Sequence, residues 1–174
     1  MMFVAHDVLL GIAFGVARPR LVSLVSSRAF VDASRAAYQE GLISLVAAGP
    51  PVPCGSAADP VPGIAARLAR VRFLPPVERA DTITVGLRWE AIGISAGLFP
   101  VLDADITLAA ASEQTTTLTL SGVYRPTGEG APPPGAPAPD HGDTAPPSAQ
   151  GLMAEVAVRS LLRYAADYLT GLNK

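Results

Sequence analysis

Apolar and polar residues alternate along three successive stretches of this chain. In 81–92 Ile83, Val85, Leu87, Trp89 and Ala91 share one parity, and Thr82, Thr84, Arg88 and Glu90 share the other. In 101–109 Leu102, Ala104, Ile106 and Leu108 oppose Asp103, Asp105 and Thr107. In 116–125 Leu118, Leu120, Gly122 and Tyr124 oppose Thr117, Thr119, Ser121 and Arg125. Because side chains on a strand point alternately to its two faces, this period of two predicts three half-buried strands. Their richness in Thr, Val and Ile suits an antiparallel sheet with one wet face. Ala111–Gln114 has the length of a hairpin turn between the last two. A further strand is expected over Leu68–Leu74, ended by Pro75-Pro76, since proline donates no ladder hydrogen bond. Residues 4–16 and 42–48 alternate less cleanly and read as strands of the same sheet.

Elsewhere the period changes. From Arg18 to Gln39, Leu21, Leu24, Val25, Phe30, Val31, Ala33 and Ala37 recur at helical spacings, with Pro19 at a helix start and Gly41 past a helix end. Ser26-Ser27 divides this segment into two short helices. From Ser148, a suitable cap, to about Leu172 the residues Ala154, Val158, Leu161, Leu162, Ala165, Leu169 and Leu172 form a broad apolar stripe. On its other side Glu155 with Arg159, and Arg163 with Asp167, have the spacing of helical ion pairs. Between the last strand and this helix, 127–147 is dominated by Pro, Gly and Ala and reads as a flexible loop.

A chain of 174 residues fits one domain, taken as 1–174, with a single core. It is 49% hydrophobic and only 16% charged, so covering apolar surface is its main structural problem. The net charge of -2 is spread along the chain and leaves no basic stripe for nucleic acid. The only cysteine is Cys54, so no internal disulfide can form, and with only His6 and His141 no Cys/His metal cluster is expected. That composition suits a reducing cytoplasm. The apolar run Val8–Ala17 has no Lys or Arg before it and Asp7 directly in front, so it reads as a strand and not as a secretion signal. No run is long enough to span a membrane.

Leu87-Arg-Trp-Glu-Ala91, Leu98-Phe-Pro-Val-Leu-Asp-Ala-Asp-Ile-Thr-Leu108, Leu118-Thr-Leu-Ser-Gly-Val-Tyr-Arg-Pro126 and Ala154-Glu-Val-Ala-Val-Arg-Ser-Leu-Leu162 resemble the central strands and last helix of actinobacterial START-like (SRPBCC) proteins. The resemblance implies an α+β helix-grip fold: a curved antiparallel sheet of about six or seven strands around a long C-terminal helix, with two short helices after the first strand. It departs from the family pattern in the Pro/Gly-rich stretch before the last helix. The superfamily includes lipid-transfer domains, ligand-binding plant allergens and polyketide cyclase/aromatase-like proteins. The expectation is therefore a hydrophobic, polyketide- or lipid-like small molecule held between sheet and helix, with no cofactor and no metal. A polyketide cyclase-like enzyme is the first alternative. The second is an interaction module that uses its sheet edge or its proline-rich loop; association of two copies is compatible with any of these.

The expected cavity wall comprises Phe73, Trp89, Phe99, Tyr124 and Leu162. Trp89 reads first as core packing and second as a ring that stacks on a ligand. Tyr124 is the stronger ligand candidate, because an inward phenol needs a polar partner, although a backbone carbonyl is the first expectation for that partner. His6 shares its parity with Val8, Leu10, Ile12 and Phe14, and with Tyr124 it is the candidate acid or base. Arg88, Glu90, Asp103 and Asp105 fall on the wet face, where cross-strand ion pairing explains them. No nucleophile motif or phosphate-binding loop is present, so catalysis has no positive signature.

Overall fold

In a computed structural model, residues 1–48, 69–91, 101–125 and 149–172 are described. Strand β1 (Met2–Leu10) leads into helices α1 (Phe14–Val25) and α2 (Arg28–Ala48). Five strands follow: β2 (Ala69–Phe73), β3 (Val77–Arg79), β4 (Thr82–Ala91), β5 (Val101–Ala110) and β6 (Thr116–Arg125). The last element is helix α3 (Ala149–Thr170). The strands form one antiparallel sheet in the order β1-β6-β5-β4-β2, with β3 pairing on β4 beyond the end of β2. α3 packs across β1 and β6, and α2 lies along α3. This is the helix-grip α+β arrangement.

The three alternating segments take the expected register. Ile83, Val85, Leu87 and Trp89 of β4, Leu102, Ile106 and Leu108 of β5, and Leu118, Leu120 and Tyr124 of β6 are all buried on one face. The helical stripe meets them with Ala154, Val158, Leu161, Leu162, Ala165 and Leu169. On the opposite face Arg88 lies 3.4 Å from Asp103 and 3.6 Å from Glu90, and Arg70 lies 3.4 Å from Glu90. The β5–β6 turn is closed by Ala111 and Ser112 donating to the Thr115 carbonyl.

Several expectations give way. Residues 42–48 are the last two turns of α2 and not a strand, so the second helix is 21 residues long and not short. Gly41 does not end that helix but sits inside it: a Cβ there would lie 2.5 Å from the Met153 carbonyl oxygen and 3.2 Å from the Ala157 Cβ. The missing side chain allows α2 and α3 to approach closely, and that packing outweighs the helix-propensity cost of glycine, about 1 kcal/mol. The segment 4–16 divides: the strand ends at Leu10, and α1 starts at Phe14, four residues before the expected start at Arg18. Ala13 caps it, its carbonyl accepting from the Val16 and Ala17 amides. Pro19 is therefore interior, where its absent N–H leaves the Gly15 carbonyl without the usual helical donor. The break at Ser26-Ser27 stands; there the Ser27 hydroxyl accepts from the Phe30 amide at 3.2 Å.

At the other end Leu172 is 77% exposed, outside the stripe, because the helix stops at Thr170 and Gly171 turns with φ of 81°. The Arg20 guanidinium reaches the Leu169 carbonyl at 2.5 Å and satisfies part of that helix end. The Glu155–Arg159 pair forms at 2.6 Å. Strand β3 was not expected from the sequence: its three residues are all exposed and show no alternation. Its Glu78 pairs with Arg18 of α1. Phe99, Cys54, His141, Ser148 and the 127–147 segment lie outside the described residues.

Candidate functional site

The inner face of the sheet is a lattice of cross-strand rows. One row runs Val71, Trp89, Leu102, Tyr124, Met2, and the next runs Phe73, Leu87, Ala104, Gly122, Val4. Two of the expected wall residues, Trp89 and Tyr124, thus share a row, separated by Leu102. Phe73 stands one row further along. Leu162 is buried on α3, at 6% exposure.

What surrounds these residues is largely other side chains. Phe73 stacks on Phe30 of α2 with ring centroids 5.0 Å apart, and Phe30 stacks in turn on Tyr164 of α3 at 6.4 Å. Trp89 is 0% exposed and leans on Tyr38 of α2 at 6.3 Å. The described part of this region is thus an aromatic cluster joining sheet, α2 and α3. Burial pushes the Tyr38 phenol well above its ordinary pKa, because the charged form would lose its hydration.

Two donors on this apolar surface are poorly matched. Among the described residues, the buried Trp89 Nε1 has no hydrogen-bond acceptor. The Tyr124 hydroxyl donates to the Met2 thioether at 2.8 Å, and sulfur is a weak acceptor. Ser34 Oγ, inside α2, is also buried without a partner among the described residues.

Beside Tyr124 a pocket of about 320 Å³ opens between β1 and the first turns of α3, lined by Phe3, Val4, Ala5, His6, Tyr124, Gly151 and Glu155. The His6 Nε2 lies 3.9 Å from a Glu155 carboxylate oxygen, and the two side chains are 26% and 38% exposed. Arg159 holds that same oxygen at 2.6 Å. The structure therefore gathers His6 and Tyr124, the two acid–base candidates, around one opening and adds Glu155 to them. Glu155 was legible only as a helical ion-pair partner; nothing local in the sequence connects it to a histidine 149 residues earlier. Tyr38 was equally silent, although it lies eight residues after Phe30, a spacing that puts both near one side of α2. Arg88, Glu90 and Asp103 lie on the opposite face, as their parity required. No group of metal-ligating side chains occurs among the described residues.

No family model matches the chain, and no curated protein matches it. Among solved structures, the Zhui aromatase/cyclase from Streptomyces sp. R1128 is similar, with 12% sequence identity over 99% of this chain and 98% of that one and a TM-score of 0.34. At that level of likeness nothing about this chain's activity follows from the neighbour. No helix among the described residues is long and apolar enough to cross a membrane.

Proposed function

We propose that this protein is a START-like (SRPBCC) domain, one unit over 1–174, that binds a hydrophobic, polyketide- or lipid-like small molecule between the inner sheet face and α3. The reading places it in the cytoplasm, without a cofactor. Its chief support is the pair of donors on one cross-strand row: the buried Trp89 indole N–H, with no acceptor among the described residues, and the Tyr124 phenol on a thioether. A buried donor left unmatched costs about 1–3 kcal/mol, and a ligand carbonyl or hydroxyl oxygen lying along Leu102 would relieve it. Phe73, Phe99 and Leu162 complete the proposed wall. Native mass spectrometry of protein purified from its own host is the direct test, together with titration of apolar fluorescent probes. A retained adduct, and probe binding weakened by Trp89→Phe and Tyr124→Phe, is the expected result. Absence of any adduct together with failure of every apolar probe to bind refutes the proposal.

A second reading, a polyketide cyclase-like enzyme, is favoured by one observation: His6, Tyr124 and Glu155 border the same pocket. There a folded polyketide chain would meet an imidazole able to take up a proton and a phenol able to supply one. Cyclisation of a reactive polyketide chain that persists unchanged in the His6→Ala, Tyr124→Phe double variant rules this reading out.

A further inference from the structure

Strand β1 is an outer strand of the sheet. It pairs with β6 along its whole length, Met2 with Tyr124 through Leu10 with Thr116, without skipping a residue. Among the described residues no strand lies on its other side. In any strand, every second residue turns its N–H and C=O to one edge, so β1 presents a row of backbone donors and acceptors outward. Outer strands are commonly protected by proline, lysine, a bulge or shortness. β1 is nine residues long, unbulged, and contains neither Pro nor Lys; exposed Asp7 is its one acidic side chain. It also carries two large exposed apolar side chains on the outer face, Phe3 at 71% and Leu9 at 63% exposure. Among the described residues, this edge is open to another strand.

The sequence of β1 indicates which strand. Phe3 and Leu9 stand three residues either side of His6, Val4 and Val8 two residues, and Ala5 and Asp7 one. We propose that two copies of this chain associate through β1, paired antiparallel about a two-fold axis at His6. In that register Phe3 of each copy lies opposite Leu9 of the other on the outer face, and Val4 opposite Val8 on the inner face. Two exposed apolar pairs are thereby covered, buried Val4 of each copy meets partly buried Val8 of the other, and the sheets of the two copies join into one. A two-fold contact must be self-complementary, and a strand whose apolar residues are symmetric about its centre satisfies that condition. Beside the axis, Asp7 of each copy falls opposite Ala5 of the other and not directly opposite its own twin. Glu155, near His6, and Arg159, which it pairs with, project from α3 next to this edge at 38% and 66% exposure. The two-fold brings the same acidic and basic pair from the second copy alongside, so opposite charges are available across the axis. A pocket lined by Phe3, Val4, Ala5, His6, Tyr124, Gly151 and Glu155 opens between β1 and α3 beside this edge.

Sedimentation velocity of the full chain over a concentration series tests the association. A concentration-dependent dimer is expected, and the Phe3→Lys, Leu9→Lys double variant should raise its dissociation constant by about tenfold or more with the circular dichroism melt retained. The register is tested separately in a Cys54→Ser background. Ala5→Cys mixed with Asp7→Cys should cross-link on mild oxidation, because these positions are opposite only when His6 is at the axis, and neither variant should cross-link alone. A chain that stays monomeric at every concentration, a dimer indifferent to the two lysines, or cross-links that form equally in the single-variant samples would overturn the proposal. None of these results depends on whether a small molecule is bound.

Discussion

Replacing Gly41 by alanine should destabilise the protein, although alanine is the better helix former. Inside α2 the substitution alone would gain about 1 kcal/mol of helix propensity. The added methyl, however, would lie 2.5 Å from the Met153 carbonyl oxygen and 3.1 Å from that residue's Cγ, where ordinary contact begins near 3.4 Å. The obstacle is backbone of α3, which cannot rotate away, so the two helices must separate by a large part of an ångström along their shared contact. Inserting a methyl into such a closed contact costs about 1–3 kcal/mol, and obstruction by backbone places this case towards the upper end. The net expectation is a loss of about 1 kcal/mol or more, a fall in melting temperature of about 2–4 °C per kcal/mol for a chain of this size. Gly15 supplies the matched control. It lies in α1 with nothing within 4 Å of its virtual Cβ, so Gly15→Ala should leave stability unchanged or raise it by up to about 1 kcal/mol. Urea denaturation of both variants, with unchanged m-values, reads the two effects. If Gly41→Ala proves as stable as the parent protein, the close approach of α2 to α3 is wrong.

Three further outcomes follow from the packing. The Tyr38 phenol is neutral in the folded chain well above its ordinary pKa of about 10, so the stability it contributes is whole below that value and declines as pH rises past it, when the unfolded chain ionises first; Tyr38→Phe should flatten this alkaline decline in urea melts between pH 8 and 11. Phe73→Ala should cost about 2 kcal/mol or more, because it removes a ring stacked on Phe30; a loss of probe binding with little change in stability would mean that Phe73 faces a ligand space instead. Arg88→Ala, which removes exposed pairs to Glu90 and Asp103, should shift the urea midpoint by no more than about 0.5 kcal/mol of stability, and a larger loss would mean the outer face is less solvated than its side-chain exposure indicates.

The strands were legible where the chain repeats its own rule. β4, β5 and β6 each combine one buried and one solvated face, so parity alone told which side chains enter the core, while it left the register open in steps of two. The helix boundaries were harder because glycine and proline have two meanings. Gly41 and Pro19 were read as punctuation from local preference, whereas tertiary contact keeps Gly41 in mid-helix and Pro19 sits a turn and a half into α1. The run Leu42-Ile-Ser-Leu-Val looked strand-like because a short apolar stretch has no distinctive period. β3 was invisible because three exposed residues carry no pattern. Of the candidate site, the shared row of Trp89 and Tyr124 could be inferred from parity once the strands were aligned. The neighbours that give those residues their character, Tyr38 against Trp89 and Glu155 near His6, are long-range contacts with no local signature.

The far border of the sheet differs from β1 in a way that matters for its behaviour at high concentration. β2 has only five residues, and Pro75-Pro76 separates it from the three-residue β3. That side offers an incoming strand a short, interrupted template flanked by residues without amide hydrogens. Among the described residues, association along the sheet therefore has one permissive end per molecule, and the proposed two-fold contact would use the ends of both copies. If the two copies associate as proposed, the described part of the sheet favours a closed pair over a growing filament.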